Sequence, residues 1–486
     1  MEEDVKKDKL KKVENLRKLG INPYPVEVGD LIRIREVLDN FEEYEKKGEK
    51  IKIAGRILSR RWHGKIIFLT IDDNTDEIQV VLREDILGEE NYNLFLDNIE
   101  KDDIVEFLGE VMITKRGQKS LLASSWRILT KAILPIPDRW YGLKDVEERY
   151  RKRYLDLLLN REVKENFILR SKIIKEIRKY LDEQGFIEVE TPVLQPIYGG
   201  ASARPFITDL FVLKMKLYLR ISPELYLKRL IVGGFDKVYE LGRVFRNEGI
   251  DRTHNPEFTS LEFYIAYCDY KKLMDFTEQF IREVVKRSIG RTKIIYEDKE
   301  IDFEKKWERL DYCELFEKEV GLHPLRADIS QLREKAKELG VEIKKEDTEI
   351  EIIDELFKEV CLPKLQNPTF LINHPKGTFP LAKSRDDNGE YLASFQVFAG
   401  GMQLITAFSE LNDPIEQEER LKEQEKIFKK GLDIAHRLDE DFIEALSYGM
   451  PPTAGFGLGI DRFVSLLTNS HAIKDVILFP FLRPRN

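Results

Sequence analysis

The spacing of apolar residues changes several times along the chain, and each change predicts an element. Between Asp8 and Leu19, the residues Leu10, Val13, Leu16 and Leu19 recur at helical spacing and predict an amphipathic helix. Gly20 ends it, and Pro23-Tyr24-Pro25 prevents its continuation. From Ile51 the pattern alternates. Ile51-Lys52-Ile53-Ala54-Gly55-Arg56-Ile57-Leu58 reads as a strand, and Ile66–Ile71 and Ile78–Leu82 follow across turns at His63-Gly64-Lys65 and Asp72–Asp76. Ile104–Met112 and Ser120–Leu129 complete a set of short strands within residues 51–129. Such a set predicts a small β-barrel of the OB-fold kind, one surface of which often binds oligonucleotides.

Beyond the barrel, Ile133-Leu134-Pro135-Ile136-Pro137 reads as an extended linker, and the charged stretch Glu147–Arg153 leads into helices around Leu155–Leu159 and Phe167–Gln184. The rest mixes helices and strands, with a charged, mostly helical insertion expected from about Thr292 to Leu365. Neither GxGxxG nor GxxxxGK[ST] occurs, so a Rossmann or P-loop nucleotide site lacks support. No apolar run approaches the roughly 20 residues of a membrane helix. Met1-Glu2-Glu3-Asp4-Val5-Lys6-Lys7 lacks the apolar core of a signal peptide. The expectation is a soluble protein inside the cell.

Composition narrows the picture. With 486 residues, 42% of them hydrophobic, the chain can bury a large core and is not of the disordered class. Cys268, Cys313 and Cys361 are widely spaced, which argues for buried free thiols rather than a disulfide framework or a zinc site. The net charge of −9 means that a nucleic-acid partner must meet a local basic patch. Lys52, Arg56, Arg60, Arg61 and Lys65 supply one without an intervening acid, interleaved with Trp62 and Phe68. Cations that track phosphates and aromatics that stack bases are the chemistry of single-stranded binding. The plainer alternative is a solvated strand face with Phe68 in the barrel core.

Three further segments carry candidate chemistry. A strand ends in Phe245-Arg246-Asn247-Glu248, beside a loop with His254 and Asn255, and an arginine so placed suits an anionic ligand. On the next strand, Phe258–Ala266, Glu262 and Tyr264 share parity and could receive an ammonium group, although an ordinary exposed hairpin has the same pattern. Phe408 and Glu410 also share parity. Finally, Gly455, Gly457 and Gly459 alternate in a strand, which implies close approach of a ligand or another backbone. Arg462 then opens a helix, at the dipole end that a polyphosphate would make favourable for it.

Taken together, these segments resemble class II aminoacyl-tRNA synthetases, the lysyl-tRNA synthetase family in particular. The resemblance rests on Gly185-Phe186-Ile187-Glu188-Val189-Glu190-Thr191-Pro192, on Phe245–Gly249 through Phe258, and on Gly457-Leu458-Gly459-Ile460-Asp461-Arg462. The lysine subgroup is indicated by Gly199–Phe206, Pro223–Arg229 and Phe408–Asp413. The resemblance implies an α+β chain: an N-terminal helix and anticodon-binding OB-fold over 1–140, a linker over 141–160, and an antiparallel-sheet catalytic domain with flanking helices over 161–486. It implies a cytoplasmic homodimer that uses ATP to activate L-lysine as the adenylate and passes it to tRNA(Lys), with no membrane partner. By the same resemblance Arg246 and Arg462 are catalytic. Arg246, Glu248, His254, Asn255, Phe258 and Arg462 contact ATP. Gly200, Glu224, Arg246, Glu262, Tyr264, Phe408 and Glu410 hold lysine. Arg61, Phe68 and Gln79 read the anticodon.

Some positions depart from the family pattern. Gln396 and Gln403 stand where the family places two magnesium-binding glutamates, and an amide oxygen is a poorer ligand for a hard dication. Thr406 replaces a usual asparagine and Ser394 a common arginine. These departures motivate an alternative: a paralogue with the same fold that has lost activation or redirected it to another acceptor.

Overall fold

The computed structural model describes residues 2–137, 143–345, 347–429 and 437–485. The chain divides into two compact units, Met1–Gly142 and Leu143–Asn486. The boundary expected at residue 140 lies outside the described residues.

In the first unit Ile51–His63 (β1), Ile66–Asp72 (β2), Glu77–Arg83 (β3), Ile104–Ile113 (β4) and Lys119–Thr130 (β5) close a barrel in the order β1-β2-β3-β5-β4. Alternation sets its inside: Ile53, Ile57, Ile67, Leu69, Ile71, Val80, Leu82, Val105 and Phe107 fill the core. The helix Glu2–Lys18 buries Val13, Leu16 and the stem of Lys9, whereas Leu10 and Leu19 are exposed. The expected apolar face was too long. Each step of three residues falls about 60° short of a full turn, so Leu10 and Leu19 lie on opposite sides of the helix.

In the second unit the strands are, in chain order, Ile187–Glu188 (β6), Leu194–Gln195 (β7), Ile207–Leu210 (β8), Met215–Leu219 (β9), Lys237–Phe245 (β10), Glu257–Ala266 (β11), Lys293–Tyr296 (β12), Lys299–Asp302 (β13), Glu308–Asp311 (β14), Thr369–Ile372 (β15), Ser394–Ala399 (β16), Met402–Ser409 (β17) and Thr453–Gly459 (β18). Eight of them form one sheet in the order β14-β15-β16-β17-β18-β11-β10-β6. It is antiparallel except at its two edges, where β14 runs parallel to β15 and β6 to β10. Leu261, Phe263, Phe395, Val397, Ile405, Ala407, Phe456 and Leu458 alternate onto one face. There they form a continuous core with Ile173, Ile177, Phe280, Val284, Phe463 and Val464 from three helices. The rings of Phe263 and Phe456 stack with centroids 4.3 Å apart. The other face is covered in part by a second core, in which Val238 and Tyr264 pack against Leu227, Ile231, Phe442 and Leu446, and the rest of it carries the polar residues described below.

Two expectations are corrected here. The stretch from Thr292 is not helical at its start: β12 and β13 form a hairpin that buries Ile294, Tyr296, Ile301 and Phe303 in the main core, and helices begin only at Tyr312. Residues 143–160 are not a loose linker. Their helices Val146–Arg151 and Arg153–Leu159 belong to the second unit. The buried Arg153 pairs with Asp156 at 2.6 Å and donates to the carbonyls of Lys474 and Leu478 at 3.0 Å, which satisfies a charge that would otherwise be costly to bury.

Candidate active site

Strand register builds the site. On the face away from the core, Glu240, Glu262, Gly457, Thr406 and Gln396 lie in one row across β10, β11, β18, β17 and β16. Val238, Tyr264, Gly455, Phe408 and Ser394 form the next row. Glycine falls in the middle of each. A Cβ on Gly455 would collide with the Glu410 carboxylate and the Tyr264 ring, so the glycine leaves the space those side chains occupy. Gly200, at φ +85°, is a second close approach: a Cβ there would lie 2.7 Å from Ser222 Oγ and 2.8 Å from Glu224 Cβ.

These rows bring Glu224, Glu262, Tyr264 and Glu410 into one buried cluster. Ser222 Oγ donates to both oxygens of Glu262 at 3.0 Å. Loss of water, reinforced by the charge of Glu224, pushes the Glu262 carboxyl up to about 8; Ser222 and Arg246 oppose the shift. Burial raises Tyr264 well above the ordinary phenol value, and the three carboxylates add to the effect. Sequence reading missed one member. Lys228 is fully buried, with Nζ 2.6 Å from Glu224 Oε1 and in contact with the Glu410 carboxylate. Burial pulls the Lys228 amine down, but Glu224 and Glu410 outweigh it and hold the ammonium protonated. Lys228 stands one helical turn after Glu224, a pairing legible in the sequence; its second partner, Glu410, was not.

Beyond the carboxylates lie two arginines. The Arg246 guanidinium donates to the Ile221 carbonyl at 3.4 Å and sits 5.1 Å above the Phe258 ring. Arg462 donates to the carbonyls of Thr253 at 3.3 Å and Gln403 at 3.1 Å, and to His254 Nε2 at 3.0 Å. Because arginine can only donate, His254 Nε2 accepts, and its Nδ1–H donates to Asp251 at 2.8 Å. Burial lowers Arg462, and the charge of Arg246 lowers it further; Asp251 and Glu248 oppose the shift without cancelling it. The anchor of the two arginines is another pair that sequence reading missed. Asp461 accepts from the Thr259 amide at 2.8 Å and pairs with Arg170 at 2.6 Å, which ties the helix Ile460–Leu467 to β11. Glu248 is exposed at the loop. Asn255 is turned inward, donating to the Glu257 carbonyl at 2.7 Å and accepting from the Phe481 amide at 3.3 Å.

Gln396 and Gln403, at the expected metal position, are both engaged in hydrogen bonds with neutral neighbours. Gln396 Oε1 is 3.1 Å from His374 Nε2, and Gln403 Nε2 donates to Thr406 Oγ1 at 2.8 Å. His374 also meets Ser394 Oγ at 3.1 Å, and burial holds its ring down at about 4, so it is neutral at physiological pH. The region is a neutral hydrogen-bonded network, whereas magnesium demands several hard oxygens at close range. Among the described residues no group of three or more His, Cys, Asp or Glu could hold a metal ion.

In the first unit, Arg61 pairs across the ladder with Phe68, and Gln79 with Thr70. Two-residue periodicity therefore places Arg61, Phe68 and Gln79 on one outer face of the barrel. Phe68 is half-buried there, between the core residues Ile67 and Leu69, so the alternative of Phe68 in the core does not hold. Gln79 Oε1 accepts from Ser120 Oγ at 2.9 Å.

Residues 145–483 match the family of class II tRNA synthetases (D, K and N), and residues 51–129 match the OB-fold nucleic acid binding domain. A lysine--tRNA ligase of Carboxydothermus hydrogenoformans is 48% identical over 481 residues, covering 99% of this chain and 98% of its own. Those of Roseiflexus castenholzii and Bacillus cytotoxicus are 45% and 46% identical, each covering at least 97% of this chain and 96% of their own.

Proposed function

The chain belongs to the class II tRNA synthetases (D, K and N), and from that membership we infer that it is a lysine–tRNA ligase, which activates L-lysine with ATP and charges tRNA(Lys). One observation carries the choice of amino acid: Glu262, buried and in no ion pair among the described residues, beside Tyr264 and the Lys228-bound Glu410. A desolvated ammonium needs such partners, and a neutral side chain would leave them unpaired.

The substrate supplies the nucleophile. A lysine carboxylate oxygen bonds to the α-phosphorus of ATP while the bond to the β-bridging oxygen breaks, and pyrophosphate leaves. A terminal ribose hydroxyl of the tRNA then attacks the acyl carbon, and AMP departs. Arg246 bridges the α-phosphate and the lysine carboxylate, and Arg462 meets the γ-phosphate. Their hydrogen bonds to backbone carbonyls and a histidine rather than to carboxylates support these roles, since catalysis here rests on alignment and phosphate charge. Phe258 stacks on adenine, with Glu248 and His254 at the same nucleotide. Asn255 contributes by holding their loop. Gly200 and Glu224 receive the α-ammonium, and Glu262, Tyr264, Phe408 and Glu410 the side chain. Magnesium travels on the ATP phosphates as part of the substrate.

The exposed side chains of Ile187, Val193 and Leu194 support a homodimer. No helix among the described residues is long and apolar enough to cross a membrane. A cytoplasmic location belongs to the same reading.

The test is pyrophosphate exchange into ATP across all twenty amino acids. Lysine is expected to drive it, and exchange driven equally by a neutral amino acid refutes the reading. The pH dependence follows from Glu262. Below about 8 its carboxyl is protonated and must lose that proton to pair with an ammonium. The KM for lysine is therefore expected to fall as pH rises from 6 to 8, by up to about tenfold per unit, and then to level off, because lysine's own side chain stays charged to about 10.4. A KM flat across that range contradicts the assignment. On the barrel, Phe68→Ala is expected to raise the KM for tRNA by ~1–3 kcal/mol of lost stacking, with lysine exchange unchanged. Unaltered charging would remove Phe68 from the anticodon face.

A further inference from the structure

We propose that Lys228 sets the charge of the amino-acid pocket: it is an internal ammonium that leaves three buried carboxylates with room for two more ammonium groups. The proposal deepens the functional reading above and rests on it.

Lys228 rises from the helix Glu224–Val232 and is sealed from solvent. Its Nζ lies 2.6 Å from Glu224 Oε1, touches Glu410, and sits 5.7 Å and 5.9 Å from the ring centres of Phe408 and Phe442. Two carboxylates and two aromatic faces thus form a cation box that the protein fills with its own side chain.

The neighbouring strands bring further charges, whereas the helix Glu440–Ser447 brings only the Phe442 ring. β11 presents Glu262 and Tyr264. β10 presents Glu240, which is already satisfied by the Arg220 guanidinium and the Thr191 hydroxyl. Glu410 follows β17, and Arg246 follows β10. Among the described residues the buried charges of the pocket are therefore Glu224, Glu262 and Glu410 against Lys228 and Arg246, with the exposed Glu248 acting on Arg246 from the loop.

Free lysine carries two ammonium groups and one carboxylate. When it enters, its carboxylate faces Arg246, its ammonium groups match the two carboxylate charges that Lys228 leaves over, and every buried charge is cancelled. An amino acid with a neutral side chain leaves one carboxylate unpaired in a desolvated site. Without Lys228 even lysine would leave one unpaired, and the pocket would have to retain a proton. Lys228 is thus a positioning residue that tunes specificity through Glu224 and Glu410.

The test is lysine-dependent pyrophosphate exchange at pH 8.5, where a proton is a poor substitute for the missing ammonium. Four proteins are compared: the parent, Lys228→Met, Glu410→Gln, and the double variant. Met fills the volume of the lysine stem without its charge. Lys228→Met is expected to raise the KM for lysine at least 30-fold, with the KM for ATP within threefold. In the Glu410→Gln background the same substitution removes a surplus cation, so it is expected to lower the KM for lysine at least fivefold. That reversal of sign is not expected of a residue that only packs. Equal damage in both backgrounds, or a parent-like KM in Lys228→Met, overturns the proposal. Should Lys228→Met alone fail to fold, Glu410→Gln against the double variant still decides: tighter lysine use supports the proposal, and equal or weaker use overturns it. A parent that does not activate lysine would refute the functional reading itself, whereas an active parent with additive variants refutes only the role of Lys228.

Discussion

Replacing Glu262 by Gln is expected to lower kcat/KM for lysine in pyrophosphate exchange roughly 10²–10³-fold, with the KM for ATP nearly unchanged. The substitution preserves shape. Ser222 Oγ, 3.0 Å from both carboxylate oxygens, can still donate to the amide oxygen, so the fold should persist. What changes is that an ammonium entering the site meets an N–H donor in place of a carboxyl that can give up its proton and become an anion. Removing one partner of a buried ion pair costs ~3–5 kcal/mol, because the other is left desolvated and unpaired. The loss should shrink for a neutral analogue such as norleucine, since the variant no longer strands a carboxylate. A change of less than threefold for lysine would show that the side-chain ammonium binds elsewhere.

Replacing Arg246 by Ala should have an effect of similar size on a different parameter. Arg246 hydrogen-bonds a backbone carbonyl rather than a carboxylate and stands above Phe258. If it bridges the α-phosphate and the lysine carboxylate, its benefit is greatest as the new oxygen–phosphorus bond forms. Loss of one preorganised donor of this kind costs ~2.7–4 kcal/mol, seen mainly in kcat. Arg246→Lys should recover little, because a point charge cannot grip two oxygens in the fork geometry of a guanidinium. Single-turnover adenylate formation separates this from a slow product step. A parent-like single-turnover rate in Arg246→Ala would remove Arg246 from the chemistry.

The position of Gln396 shows what residue type alone left open. In sequence it stands at a metal ligand's place, and an amide oxygen is a conceivable, if weak, ligand. In the fold its oxygen is 3.1 Å from His374 Nε2, and His374 comes from a loop after β15 that carried no chemical signal. A histidine isolated in sequence gives no hint that burial holds it neutral, near 4, against that amide.

The sequence by itself determined which residues turn toward chemistry. Two-residue alternation put Glu262 and Tyr264 on one side of β11 and Leu261 and Phe263 on the other. Spaced glycines marked the strand that had to make room, and the alternation of residues 51–129 marked the barrel. Period encodes direction, and direction is local. Only the tertiary structure decided who meets whom. Glu410 reaches Lys228 because β17, β18 and β11 lie side by side, an adjacency set by strand order and register rather than by any spacing along the chain. The same holds for Arg170 with Asp461, and for the inward turn of β12 and β13. Buried charge must be cancelled by whatever the fold brings near, and that partner can come from any distance in sequence.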